Sequence, residues 1–120
     1  MKRVLVADDK VSSRELIRAV LEGSGYEVSE ACDGGEAVQI ALQTEPDAIV
    51  LDLHMPALDG FGALERLRAD PRFATLPIIA LTASAMQGDR ERALAAGFTS
   101  YVSKPVTLKA LRAELARLLP

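Results

Sequence analysis

Residues 48–53 read Ala48-Ile49-Val50-Leu51-Asp52-Leu53, an unbroken apolar run that closes around an acid. A strand with one wet face alternates apolar and polar residues, whereas a strand covered by helices on both faces is apolar throughout, so this run reads as the middle of a parallel sheet. Ile78-Ile79-Ala80-Leu81 has the same character. Outward from these, Val4 to Ala7, Tyr26 to Ala31 and Ser100 to Ser103 are further strand candidates, and a helix-periodic segment follows each strand. Ser12 and Glu15, at capping-box spacing, precede Leu16, Ile17, Val20 and Leu21 on one face, with an end at Gly23 or Gly25. Asp33 and Glu36 repeat that signal before Ala37, Val38, Ile40 and Ala41, and Pro46 closes the segment. The third helix carries Phe61, Leu64 and Leu67 and stops near Asp70-Pro71; the fourth runs from about Met86 to Ala96, with Gly97 just past its end. A fifth begins after Thr107 and presents Leu108, Leu111, Leu115 and Leu118 as a core stripe. Successive parallel strands require right-handed helical crossovers, so an α/β chain of this pattern is expected to form a three-layer doubly wound (βα)5 sheet.

The 120 residues carry 14 Lys plus Arg against 17 Asp plus Glu, a formal charge of −3, and 49% of positions are apolar. That is room for one domain spanning 1–120, large enough to fold without disulfides or a structural metal. A weakly acidic chain with interspersed basic residues has no electrostatic footprint for nucleic acid or anionic lipid. No apolar run approaches a membrane span, and Val4 to Ala7 is too short for a signal-peptide core, so a soluble cytoplasmic chain is expected. Cys32 has no second cysteine to pair with and reads as a reduced, buried or half-buried residue.

In an open parallel sheet, ligands bind outside the carboxyl ends of the strands. Asp8 and Asp9 follow the first strand, Asp52 lies near the end of the third, Thr82 follows Leu81, and Lys104 follows the fifth and precedes Pro105. The second strand brings no charged group to this rim, which fits an edge position in the order 2-1-3-4-5. Three converging carboxylates raise one another's pKa unless a cation intervenes. All-oxygen ligation without His or Cys favours Mg²⁺, with Mn²⁺ also possible, and a lysine and a hydroxyl beside it supply donors for phosphoryl oxygens. An Asp carboxylate is a competent nucleophile for phosphoryl transfer.

Asp8-Asp9, Asp52 in LDLHMPALDG, Thr82-Ala83 and Tyr101-Val102-Ser103-Lys104-Pro105 together resemble the receiver domain of two-component response regulators, the CheY-like family with its flavodoxin-like fold. The resemblance covers essentially the whole chain and keeps motif order and spacing. It implies that Asp52 is the phosphoacceptor. It also implies that Asp9, Asp52 and the backbone carbonyl of His54 are direct metal ligands, with Asp8 acting through water. Thr82 and Lys104 would contact the phosphoryl group, Tyr101 would turn inward on activation, and the bond before Pro105 would be cis. Lys10 stands where related sequences often carry Asn. The implied partners are a histidine kinase or histidine phosphotransfer protein, and a downstream effector.

On this reading the chain is a signalling domain, not an enzyme acting on other molecules; it catalyses its own phosphorylation and slow autodephosphorylation. Lifetime would be tuned by His54 and Ser84, while the small Ala83 leaves access open. A phosphorylated side chain adds roughly −1.5 to −2 charge and new acceptors for Thr82 and Lys104. If Thr82 moves toward them, Tyr101 can enter the vacated space and remodel the face made by the fourth helix, fifth strand and fifth helix. An aspartyl-nucleophile phosphohydrolase usually places a second acid two residues after the nucleophile, where this chain has His54. A scaffold keeping only the fold would not need the complete acid, hydroxyl and lysine set. The His54 ring, with no second His, is expected in solvent, and the basic residues of the last two helices are expected to form solvated faces.

Overall fold

Strands and helices alternate as β1 (Arg3–Ala7), α1 (Val11–Gly23), β2 (Glu27–Ala31), α2 (Gly34–Thr44), β3 (Ala48–Asp52), α3 (Gly60–Arg68), β4 (Ile78–Thr82), α4 (Gln87–Ala96), β5 (Ser100–Ser103) and α5 (Leu108–Leu118), with a short 3₁₀ turn at Pro71–Phe73. This computed structural model describes residues 1–82 and 87–119. The strands are all parallel, in the order β2-β1-β3-β4-β5. That is the expected doubly wound architecture. The expected helix start at Met86 and the expectations for Ala83 and Ser84 fall outside the described residues.

Alternate side chains of each strand point to opposite faces, so the continuous apolar runs feed two cores. Leu5, Ile49, Leu51 and Ile78 pack with Ala37 and Ala41 of α2, Leu64 and Leu67 of α3, and Ala93 of α4. On the other face Val4, Val6, Val50, Ile79 and Leu81 pack with Ile17 and Leu21 of α1 and Leu111 and Leu115 of α5. Full burial of each Leu or Ile contributes roughly 1.5–3 kcal/mol, so the helices are anchored by a few side chains apiece. α4 is the exception, with Ala93 its one buried hydrophobic residue among those described.

Several sequence expectations need correction. The N-cap of α1 is Lys10, with no side-chain capping bond, so Ser12 and Glu15 do not form the expected capping box. The Lys10 N–H instead donates to Asp8 Oδ1, which draws the helix start toward the end of β1. Asp33 does cap α2, accepting from the Glu36 N–H at 2.8 Å. Leu16 and Leu108 are exposed, because each lies to the side of the face that meets the sheet. Cys32 is exposed as well: it follows the end of β2, an edge strand, and its thiol donates to the Glu36 carboxylate at 3.5 Å.

Arg68 went unremarked in the sequence, yet it ties three segments together. Its guanidinium donates to the Phe73 and Leu76 carbonyls, both at 2.7 Å, and to the Gly97 carbonyl at 3.0 Å. Burial lowers its pKa, and no carboxylate is among its described hydrogen-bond partners. Arg68→Met keeps the apolar stem and strands those carbonyls, so it is expected to cost about 2 kcal/mol in urea unfolding. A loss within experimental error would show that water replaces the guanidinium at no cost.

Candidate functional site at the carboxyl ends of the strands

Parallel register decides which polar residues meet. Ala7 pairs with Leu51, so Asp8 stands beside Asp52 one position further on, and in-register neighbours share a face. Thr82 ends β4, and Lys104 follows β5, where its backbone N–H donates to the Thr82 carbonyl at 2.7 Å. The Lys104–Pro105 bond is cis, as the resemblance implied.

Carboxylate oxygens of Asp8, Asp9 and Asp52 lie within 4.8 Å of one another, with Asp8 and Asp52 buried and Asp9 exposed. Lys104 Nζ donates to Asp8 Oδ2 at 3.1 Å and to Asp52 Oδ2 at 3.0 Å. The other Asp52 oxygen accepts the His54 N–H at 3.1 Å. Asp8 is held further by the Ser13 hydroxyl at 2.6 Å and the Lys10 N–H at 2.9 Å. Burial would raise the Asp8 pKa, but Ser13, Lys10 and Lys104 together hold it below the usual carboxylate value. Asp52 goes the other way. Burial raises it, with the charge of Asp8 adding to the rise, and the His54 N–H and Lys104 offset only part. For Lys104, burial opposes the charge but its two carboxylate partners prevail and raise the pKa. The two neighbouring acids are thus pushed in opposite directions, Asp8 down and Asp52 up.

Of the residues singled out in the sequence, Asp8, Asp9, Asp52 and Lys104 come together. The His54 side chain is exposed, as expected, and its backbone N–H is what reaches Asp52. The Thr82 hydroxyl donates to Asp89 Oδ2 at 3.3 Å. Tyr101 is half-buried on β5, with the Arg90 guanidinium 5.2 Å from its ring centroid. Arg92 lies 4.3 Å from the Phe61 ring centroid; both arginines are exposed, as expected, with their guanidinium groups over aromatic rings. An open cleft of about 680 Å³, lined by Arg90, Leu94, Tyr101, Ala110 and Glu114 among others, runs along the α4–β5–α5 face. Ser13, Arg14 and Asp89 were missed as site neighbours. Ser13 could have been found from its place in the first turn after paired acids; Arg14, which donates to the Asp8 carbonyl at 2.9 Å, and Asp89 had no such signal.

A parallel sheet in this order, with acids just after β1 and at the end of β3 and a lysine after β5, makes a doubly wound α/β domain with an acidic site at its carboxyl rim, and the chain belongs to the response regulator receiver domain family, whose model matches residues 4–116. It is a receiver domain of two-component systems, whose general function is phosphorylation on an aspartate. The chain is 37% identical over 119 residues to RpaA, a DNA-binding dual master transcriptional regulator of Synechocystis, covering 99% of this chain and 49% of that protein. It therefore spans about half the length of that relative. Among solved structures, chemotaxis protein CheY4 of Vibrio cholerae superposes with a TM-score of 0.93 at 33% identity, covering 99% of each chain. The receiver domain of sensor histidine kinase PA1611 of Pseudomonas aeruginosa, which has a magnesium ion coordinated in its active-site cleft, gives 0.91 at 39% identity over 98% of this chain and 96% of that one. No helix among the described residues is long and apolar enough to cross a membrane.

Proposed function

We propose that Asp52 accepts a phosphoryl group from a phosphohistidine on a partner histidine kinase or phosphotransfer protein, and that Thr82, Lys104 and Tyr101 convert that event into a change of the α4–β5–α5 face read by an effector. The observation that carries this reading is the bridge of Lys104 Nζ between Asp8 and Asp52 beside the clustered carboxylates.

The donor set suits a divalent hard cation. Ionised Asp8, Asp9 and Asp52 with protonated Lys104 sum to −3 + 1 = −2, which one Mg²⁺ neutralises. Asp8, Asp9, Asp52 and the His54 carbonyl would hold it, and Mn²⁺ accepts the same oxygen donors. Bound there, the ion supplies charge neutralisation for phosphoryl oxygens.

An ionised carboxylate has no proton to lose, so Asp52 needs no general base. One of its oxygens forms the bond to phosphorus as the phosphorus–nitrogen bond of the phosphohistidine breaks, and the departing imidazole keeps the electron pair. The result is an acyl phosphate, open to later attack by water. Lys104 is anchored by Asp8 as well as Asp52, so its ammonium stays at the site when negative charge moves from the carboxylate to the phosphoryl oxygens. Lys104 and Thr82 each exchange an existing carboxylate acceptor for a phosphoryl oxygen, so the switch is driven by the difference between the old and new bonds and not by their full value of about 1.5–3 kcal/mol each.

The test is transfer from a histidine-phosphorylated kinase domain in the presence of Mg²⁺. The expected result is a hydroxylamine-releasable label on this chain at Asp52. Label that stays on the histidine with a panel of donors, and none from acetyl phosphate, would overturn the reading.

A further inference from the structure

α4 is the helix least committed to the core. Its one buried hydrophobic residue among those described is Ala93, whereas α1 buries Ile17 and Leu21 and α5 buries Leu111 and Leu115. Directional contacts at consecutive residues do much of the rest. The carboxylate of Asp89, in the first turn, accepts the Thr82 hydroxyl, and the guanidinium of Arg90 covers the Tyr101 ring. One turn of one helix thus grips both side chains through which the proposed switch would act.

We propose that Asp89 is a positioning residue that restrains Thr82 before phosphorylation, and that Arg90 is its companion on Tyr101. This rests on the phosphoacceptor reading of Asp52. Strength decides whether such a restraint can be reversed. The Thr82–Asp89 contact is 3.3 Å, long for a hydroxyl donor, whose ordinary range is about 2.5–3.0 Å. The acceptor is a carboxylate in one case and a phosphoryl group in the other, so what favours the exchange is the length of the Asp89 contact and the larger charge of the phosphoryl group, roughly −1.5 to −2. The loss also costs Asp89 little: it is half-buried, reached by water, and lies in the first turn of a helix, where the dipole favours a negative charge. Once Thr82 leaves, the first turn of α4 loses this tie to β4, and the weakly packed helix can shift and carry Arg90 off Tyr101.

The experiment uses the unphosphorylated chain and its Asp89→Ala and Asp89→Asn variants. Three-bond couplings to the Thr82 methyl carbon report its side-chain rotamer by NMR, with no phosphoryl donor present. The Thr82 coupling is expected to move toward its averaged value in Asp89→Ala, with Asp89→Asn, which keeps an acceptor oxygen, in between. The initial rate of labelling by acetyl phosphate with Mg²⁺ should rise about two- to tenfold in Asp89→Ala, the range one hydrogen bond supports. An unchanged Thr82 coupling, or averaging with no rise in rate, would overturn the restraint. If Asp89→Ala does not fold, Asp89→Asn decides by the same couplings. Failure of the wild type to label counts against the phosphoacceptor reading instead, and the couplings still decide the contact.

Discussion

Asp52→Asn is expected to abolish labelling by acetyl phosphate and, in the same protein, to raise the melting temperature in metal-free buffer at neutral pH. The first effect is chemical: an amide oxygen is not a nucleophile toward phosphorus under these conditions, and the remaining carboxylates of the cluster have other positions. The second follows from electrostatics. Burial, joined by the charge of Asp8, holds the Asp52 pKa above its ordinary value in the folded chain. A group whose folded pKa is raised contributes stability fully below the unfolded value, near 3.9, and loses it as pH rises through the folded value. At neutral pH the ionised Asp52 is therefore a burden. Asn has nearly the same shape, can accept the His54 N–H, and leaves Lys104 paired with Asp8. The gain is expected to be about 1 kcal/mol, several degrees for a domain of this size. It should shrink in acid, where the wild type also becomes neutral at this position. Thermal melts with a chelator, at neutral and acidic pH, decide it. A less stable Asn variant at neutral pH would mean that the Lys104–Asp52 pair outweighs the burial of charge.

A large stability loss is expected from Gly60→Ala. Gly60 opens α3 directly beneath the end of β3, and its N–H donates to the Leu53 carbonyl at 3.1 Å. A methyl group there would overlap the Asp52 carbonyl oxygen and come within 2.8 Å of Leu53 Cα and 3.1 Å of the Asp52 carbonyl carbon. All three are backbone atoms, which cannot swing aside as a side-chain tip can. Relief requires moving either α3 or the strand end that carries Asp52. A cost of about 3 kcal/mol is expected, the upper part of the range for overpacking, accompanied by loss of labelling because the same shift displaces the carboxylate. Gly23→Ala is the control. It meets nothing within 4 Å, lies at the end of α1, and should leave stability unchanged or raise it by up to about 1 kcal/mol. Equal unfolding midpoints for Gly60→Ala and the wild type would show that the loop after β3 yields freely.

Much of this molecule was legible in its chain because its signals are local. Continuous apolar runs predicted the central strands, and Asp33 and Thr107 cap α2 and α5 where expected. Acids and a lysine at strand ends predicted one rim. The signals that misled were local too. Ser12 and Glu15 have capping spacing, yet α1 starts at Val11 because Asp8 takes the Lys10 N–H. Leu16 and Leu108 have the right residue type for the core, but which side of a helix meets the sheet depends on how the helix docks. Cys32 is apolar in composition and exposed by geometry, since the strand before it lies at the sheet edge.

Residue order alone determined the alternation of strands and helices, the two-faced burial of the sheet and the chemistry offered at its carboxyl rim, because each depends on periodicity and on residues close in the chain. Only the tertiary structure decided that Lys104 bridges Asp8 and Asp52, that Arg68 gathers three separate carbonyls, and that Asp89 and Arg90 hold Thr82 and Tyr101. Some of these contacts join residues far apart in the chain and others span a turn between successive elements, and all of their distances follow from parallel register and helix docking, for which no short stretch of sequence carries a signal.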